Sequence, residues 1–348
     1  MYNFFMNEKR WFVPGYYLDF VCKADKCRHT CCSSWRIPIS KNEYNKLITM
    51  ECSDELNRCV QNAFVFPEVV DDLCYRYVSI NWLGYCNLFD NGLCRIQKEK
   101  GEEYLPKICR LYPRSFKNIG GHNVASCSSS CERVIEMLYE DNQLDIKEII
   151  LDQKPQLLYE VSDEQIEQIR LFQDIIKDKN TSLAQSIIDI CRIINKDEFD
   201  KDYSSDVDYL DNALSLLQKI SSSDYVFKEV ADRIIDRYKD KDLFETDRIT
   251  FEEKYPDWMS FFERVLNNSM IYECFPFIDK KIDKTKVYKG LCCSYGLLRL
   301  ICIGNTFDSN NIEDLIDVVA CLFRIIDHTA FYHNVSIVVD NAAVMLKI

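Results

Sequence analysis

Glycine is scarce in this chain, with nine residues among 348 and none between Gly121 and Gly290. Glycine supplies the positive φ angles and close backbone approaches on which phosphate-cradling loops and dense turn networks depend. No G-x-G-x-x-G stretch occurs, which excludes the common glycine-rich cofactor loop between a strand and a helix. Long apolar runs are missing too. None reaches the roughly 18 residues of a membrane-spanning helix. The opening MYNFFMNEKRW is broken by Glu8, Lys9 and Arg10 before it attains the apolar core of a secretory signal. These readings predict a cytoplasmic protein without a membrane partner.

Polar low-complexity tracts are also lacking, while 47% hydrophobic and 28% charged residues are globular values. A chain of this length exceeds what one hydrophobic core usually serves, so two domains are expected. The net charge of −13 is uneven: residues 1–140 sum to +1 and residues 141–348 to −14. An acidic second half repels phosphate backbones, which argues against a nucleic-acid partner. It favours a lysine-bearing one, although acidity also serves plain solubility.

Cysteine is abundant instead. Twelve of the eighteen fall in the first 131 residues, and a cytoplasmic chain that clusters thiols more often binds metal than forms disulfides. Cys22, Cys27, Cys31 and Cys32 form one group. Cys86 and Cys94 flank an Asn91-Gly92 turn signal, and Cys109 follows in the run Cys109-Arg110-Leu111-Tyr112-Pro113-Arg114. Cys127 and Cys131 open an expected helix through Ile135 and Leu138. Soft thiolates suit Zn²⁺ or iron–sulfur clusters, and close spacing lowers the entropy of gathering ligands. His29 is an alternative zinc ligand or an exposed histidine. Cys52, Cys59 and Cys74 are assigned to packing.

The fold class that follows is mainly α: an irregular cysteine-rich metal- or cluster-binding unit over residues 1–140, then an acidic α-helical domain over 141–348. Trp11–Phe20 reads as a strand or extended lead-in. Ser40 with Glu43 and Ser162 with Gln165 are capping boxes that open helices. Leu183, Ile187, Cys191 and Ile194 recur at helical spacing, as do Ile312, Ile316, Val319, Phe323 and Ile326 after the caps Asn310 and Asn311. Further helices are expected near 208–220, 224–240, 257–271 and 290–302. The late cysteines Cys191, Cys293, Cys302 and Cys321 sit in these apolar stretches and read as small core residues.

The order Asp19-Phe20-Val21-Cys22, Cys27, Cys31-Cys32, Trp35, then Cys86-Asn87-Leu88-Phe89, Cys94-Arg95-Ile96, Cys109, Tyr112-Pro113-Arg114 and Ser126-Cys127 with Cys131-Glu132 resembles the flagellin lysine-N-methylase family over residues 19–138. The resemblance implies a bacterial enzyme that methylates flagellin lysines with S-adenosylmethionine. It also implies a [4Fe–4S] cluster held by the matched cysteines, with Zn²⁺ as the alternative. Within the matched region Arg114 is a candidate for a two-point contact to the donor's carboxylate. Tyr112 is a candidate to orient or deprotonate an amine, and Arg110 to bind cofactor or steady the Cys109 sulfur. The competing reading is a Tyr-Pro-Arg that only ends a helix and packs. Two features depart from the pattern. Cys127 and Cys131 compete for one place, and Ser34 stands where a C-x3-C-x2-C triplet needs its third cysteine, so radical chemistry of that type is not expected. A non-catalytic metal-stapled interaction protein and a redox module remain the alternatives from other classes.

Overall fold

The computed structural model describes residues 10–33, 35–72, 74–140, 145–222, 225–278, 283–307 and 311–348. Ser34, the expected cap Asn310 and the first residue of the helix expected from 224 lie outside the described residues. The chain divides into two compact units. One is Val21–Tyr112, and the other joins Met1–Phe20 to Pro113–Ile348. The division therefore differs from a break at residue 140. Its physical cause is strand pairing: Arg10–Pro14 lies parallel to His122–Cys127, which ties the start of the chain to the segment beyond residue 113.

In the Val21–Tyr112 unit, short elements surround a small core. Ser40 caps the helix Lys41–Ile48, accepting from the Glu43 N–H at 3.3 Å while its own N–H donates to Glu43 Oε2 at 3.0 Å. The helix Asp54–Gln61 turns Leu56 and Val60 inward. Asn91 and Gly92, at φ 44° and 86°, make the tight turn between the strands Phe89–Asp90 and Leu93–Cys94. Both central positions take positive φ, the condition for a two-residue hairpin loop. Ile39, Leu47, Leu56, Val60, Ala63, Val78, Leu88 and Ile96 form the core, with Cys52, Cys59, Cys86 and Cys94 packed against it.

The other unit holds a five-stranded mixed sheet and a helical bundle. In the sheet the order is Leu157–Tyr159, Arg114–Ile119, His122–Cys127, Arg10–Pro14, Ile146–Ile150. Arg114–Ile119 and His122–Cys127 form an antiparallel hairpin across Gly120-Gly121. This sheet corrects the expectation of an irregular segment followed by helix alone. Its strands carry Lys117, Asn118 and Asn123 among the apolar residues, which hides their period. A second correction concerns Cys127, which ends a strand; only Cys131 stands at a helix start, as the N-cap of Glu132–Tyr139.

The chain is mainly helical, as expected. Ser162 makes its capping box ahead of Asp163–Ile176, and Asn311 caps Ile312–His328. The helices Asp242–Lys254 and Phe331–Val338 were not anticipated. At the centre of the bundle lies Lys284–Thr306, buried from Val287 to Thr306. This helix is long and apolar enough to cross a membrane by composition, but its apolar window is wholly enclosed by its neighbours. Cys191, Cys293, Cys302 and Cys321 are core residues, at most 2% exposed.

Candidate functional site

The expected metal ligands are divided between the two units. Cys127 and Cys131 belong to the unit built around the sheet, whereas Cys22 to Cys109 belong to Val21–Tyr112. Within the latter, Cys32, Cys86, Cys94 and Cys109 lie close enough to perturb one another electrostatically. Burial pushes the Cys86 thiol up to about 12, and burial followed by the neighbouring thiols Cys32, Cys94 and Cys86 pushes Cys109 well above its ordinary range. Cys32 is instead lowered to about 7 by a hydrogen bond from Cys31. The Cys86 N–H donates to the Cys32 carbonyl at 2.8 Å, which is what brings the first cysteine group to the second. Even so, no three His, Cys, Asp or Glu side chains among the described residues converge as a metal-ligand group. The donor chemistry of these thiols suits a soft metal.

The residues expected to serve the donor follow one another across the boundary between the units. Tyr112 follows the short helix Lys107–Leu111, its ring 5.1 Å edge-on from Trp35, in the cysteine-rich unit. Arg110 is exposed. Arg114 opens a strand of the other unit, where its guanidinium donates to the Phe20 carbonyl at 3.3 Å and covers the Phe20 ring at 4.8 Å. Tyr-Pro-Arg thus does end a helix, and Arg114 has structural partners already.

A denser constellation lies elsewhere. Between the strand ending at Cys127 and the helix starting at Glu132 runs Ser128-Ser129-Ser130, fully buried. Buried hydroxyls and N–H groups need partners, and these come from the C-terminal end of Ile312–His328. Asp327 Oδ2 accepts from Ser128 Oγ at 2.6 Å and from the Ser129 N–H at 3.0 Å. His328 Nε2 lies 2.7 Å from Ser130 Oγ. The helix Trp258–Glu273 closes another side. Asn268 Nδ2 donates to Ser129 Oγ at 2.8 Å and to the Cys127 carbonyl at 3.0 Å, and Tyr16 Oη donates to Asn268 Oδ1 at 2.6 Å.

Beside this network stands Lys117, 4% exposed on the inner face of its strand. Its ammonium lies 4.7 Å from the Tyr272 ring centroid and 5.9 Å from that of Tyr159, and makes no hydrogen bond among the described residues. Glu273 follows Tyr272 and likewise has no hydrogen-bond partner there. Burial raises the Glu273 carboxyl, and Lys117 partly offsets this; Asp327 is raised by burial and by the charge of Glu273. Burial lowers Lys117, and lowers His328 to about 4. Tyr272, Glu273, Asp327 and His328 each keep part of their surface open to solvent, while Lys117, Asn268 and the three serines are closed. A half-buried acid and a largely buried amine beside a partly open aromatic ring are the setting in which enzymes manage proton transfer.

Sequence reasoning missed this site. In the run Cys127-Ser128-Ser129-Ser130-Cys131 only the cysteines stand out in the sequence, and Asp327-His328, just past the apolar helix face that reaches Ile326, do not stand out. The one available signal was an acid and a histidine continuing from an otherwise apolar helix face.

A family model described as the FliB lysine N-methylase C-terminal domain matches residues 125–337, more than half of the chain. The chain belongs to the FliB lysine N-methylase family. The matched span holds Ser128–Ser130, Asn268, Tyr272, Glu273, Asp327 and His328, and begins after the whole cysteine-rich unit. Among curated proteins, a lysine-N-methylase of Salmonella choleraesuis (strain SC-B67) is 25% identical over 138 residues, 39% of this chain and 34% of the relative. A lysine-N-methylase of Salmonella typhimurium (strain LT2) matches to the same extent. The flagellar biosynthetic protein FliU of Salmonella muenchen is 24% identical over 138 residues, 39% of this chain and 80% of that protein. The match thus spans about a third of the length of the two lysine-N-methylases. No solved structure matches this family member.

Proposed function

We propose that this chain is a lysine N-methyltransferase that moves methyl groups from S-adenosylmethionine to lysine side chains of flagellin, acting in the cytoplasm. The observation that carries the reading is the family match over residues 125–337, which takes in the buried polar site except for Tyr16 and Lys117. The names of its relatives, a lysine-N-methylase and a flagellar biosynthetic protein, support the acceptor group and the flagellar setting. The charge of −14 over residues 141–348 suits a lysine-bearing protein substrate.

Methyl transfer to an amine is an in-line displacement that needs a neutral amine, a route for its proton and exclusion of water. The serine-lined wall meets part of this requirement by holding Asp327 and His328 in fixed orientations. When bound, S-adenosylmethionine supplies the sulfonium methyl. Arg114 and Arg110 stay the candidates for its carboxylate, the first also donating to the Phe20 carbonyl and the second exposed to solvent. Cys32, Cys86, Cys94 and Cys109 are the thiols whose chemistry suits a soft metal, and no step is derived through one. The test is mass spectrometry of flagellin incubated with the full chain and S-adenosylmethionine. Methyl-sized mass increments on lysine are expected. Unmodified flagellin, with donor and folded protein both verified, would overturn the reading.

A further inference from the structure

Four groups stand together with their reactive atoms unspent: the Lys117 ammonium, the face of the Tyr272 ring, the Glu273 carboxyl and the Oδ1 side of Asp327. Lys117 and Glu273 make no hydrogen bond among the described residues. Asp327 spends Oδ2 on Ser128 and Ser129 but has only a long 3.4 Å contact from Ser269 Oγ on Oδ1. Neither the Lys117 nitrogen nor a Glu273 oxygen is among the fully shielded atoms that lack a partner, so both groups stay within reach of water or of a reactant rather than closing on each other. The open surface of Tyr272, Glu273 and Asp327 lets a reactant reach them. Two carboxyls and an aromatic face are what a primary alkylammonium is recognised by.

We propose that Lys117, Tyr272, Glu273 and Asp327 form the seat of the acceptor amine, with Glu273 taking its proton and Lys117 keeping the seated nitrogen neutral. This rests on the reading that the chain methylates lysine. The incoming ammonium is drawn by the two carboxyls and laid against Tyr272. One N–H bond breaks, the proton goes to a Glu273 oxygen, and the electron pair stays on nitrogen. A fixed cation beside the seat disfavours reprotonation, as neighbouring like charges do for reactive lysines. The nitrogen pair then forms a bond to the methyl carbon of a sulfonium donor. The carbon–sulfur bond breaks, its electrons go to sulfur, and a neutral thioether and a methylated ammonium result. Glu273 returns its proton to solvent through the open side of the site.

The test uses the full chain with two variants, Glu273→Gln, which keeps shape, and Lys117→Met, which keeps the apolar stem. Affinity for n-butylammonium, a lysine side-chain probe, and for S-adenosylmethionine is measured by titration calorimetry, alongside flagellin methylation. Glu273→Gln is expected to weaken n-butylammonium about tenfold, the equivalent of about 1.4 kcal/mol, and to cut turnover on the order of a hundredfold. Lys117→Met is expected to tighten n-butylammonium, because a like charge is gone, and still to lose turnover. A structural role does not produce tighter binding with slower chemistry. If Glu273→Gln weakens the donor and not n-butylammonium, the site belongs to the donor and the proposal falls. Wild-type turnover in the Glu273→Gln protein also overturns it while the methylase reading stands. Conversely, a chain that methylates no flagellin but binds n-butylammonium through Glu273 overturns the methylase reading and keeps the seat. Either variant alone decides the matter if the other does not fold.

Discussion

At the scale of residues, His328 reports on the polar site without carrying its chemistry. Its ring faces Ser130, Ser128, the Tyr272 ring at 6.2 Å and the charge of Arg324. Burial and Arg324 lower it from 6.5 to about 4. Between those values the unfolded chain binds a proton that the folded chain does not, so acid favours unfolding. This contribution is present in full above pH 6.5 and is lost as pH falls towards 4. It is on the order of 2 kcal/mol, since the imidazole keeps some contact with solvent. His328→Gln is expected to flatten the melting temperature between pH 6.5 and 4 relative to the wild type, measured by calorimetric melts in matched buffers. Parallel curves for the two proteins would mean that the histidine titrates normally.

At the scale of elements, the central helix Lys284–Thr306 decides how closely its partners approach. Gly290, without a side chain, lets the helix Phe331–Val338 settle so near that an added Cβ would lie 2.0 Å from Tyr332 Cδ1. Gly296 does the same for Met345. A ring held in a close-packed interior cannot retreat without moving its helix. Gly290→Ala is therefore expected to destabilise the protein by about 1–3 kcal/mol, a fall in melting temperature on the order of 5 °C. The surface substitution Lys228→Ala, on an exposed i,i+4 pair with Asp232, should change the same measurement by less than about 1 °C. An unchanged melt for Gly290→Ala would show that Tyr332 has room that the packing denies it.

At the scale of the whole molecule, the two units are unequally supported. Among the described residues the Val21–Tyr112 unit has eight buried apolar side chains in its core cluster, a small core that a metal staple would reinforce. Metal sites of this kind form together with the fold around them, so thiols that are near but not convergent are compatible with binding. Anaerobically purified full chain is expected to carry iron or zinc, and Cys109→Ser to lose most of it. Cys321→Ala, which removes a buried thiol of the bundle, should retain it. Elemental analysis of the three proteins is the measurement, and equal metal content in all of them would leave the cysteine-rich unit without its staple.

The sequence by itself determined what local interactions determine. Ser40, Ser162 and Asn311 cap their helices because the groups they satisfy lie within three residues. Asn91-Gly92 turns the chain because those residues accept positive φ, and the late cysteines are buried because they continue apolar helix faces. The crossing of the first strand into the sheet, and hence the extent of each unit, was not legible, because pairing between residues about a hundred positions apart leaves no local mark. The candidate site was least legible of all. Ser128 and Asp327 meet across 199 positions, and Lys117 and Glu273 are an ordinary strand lysine and an ordinary helix-end glutamate until folding removes water from both. Only the tertiary structure set their charges against each other, because desolvation belongs to the packed whole and not to any residue in it.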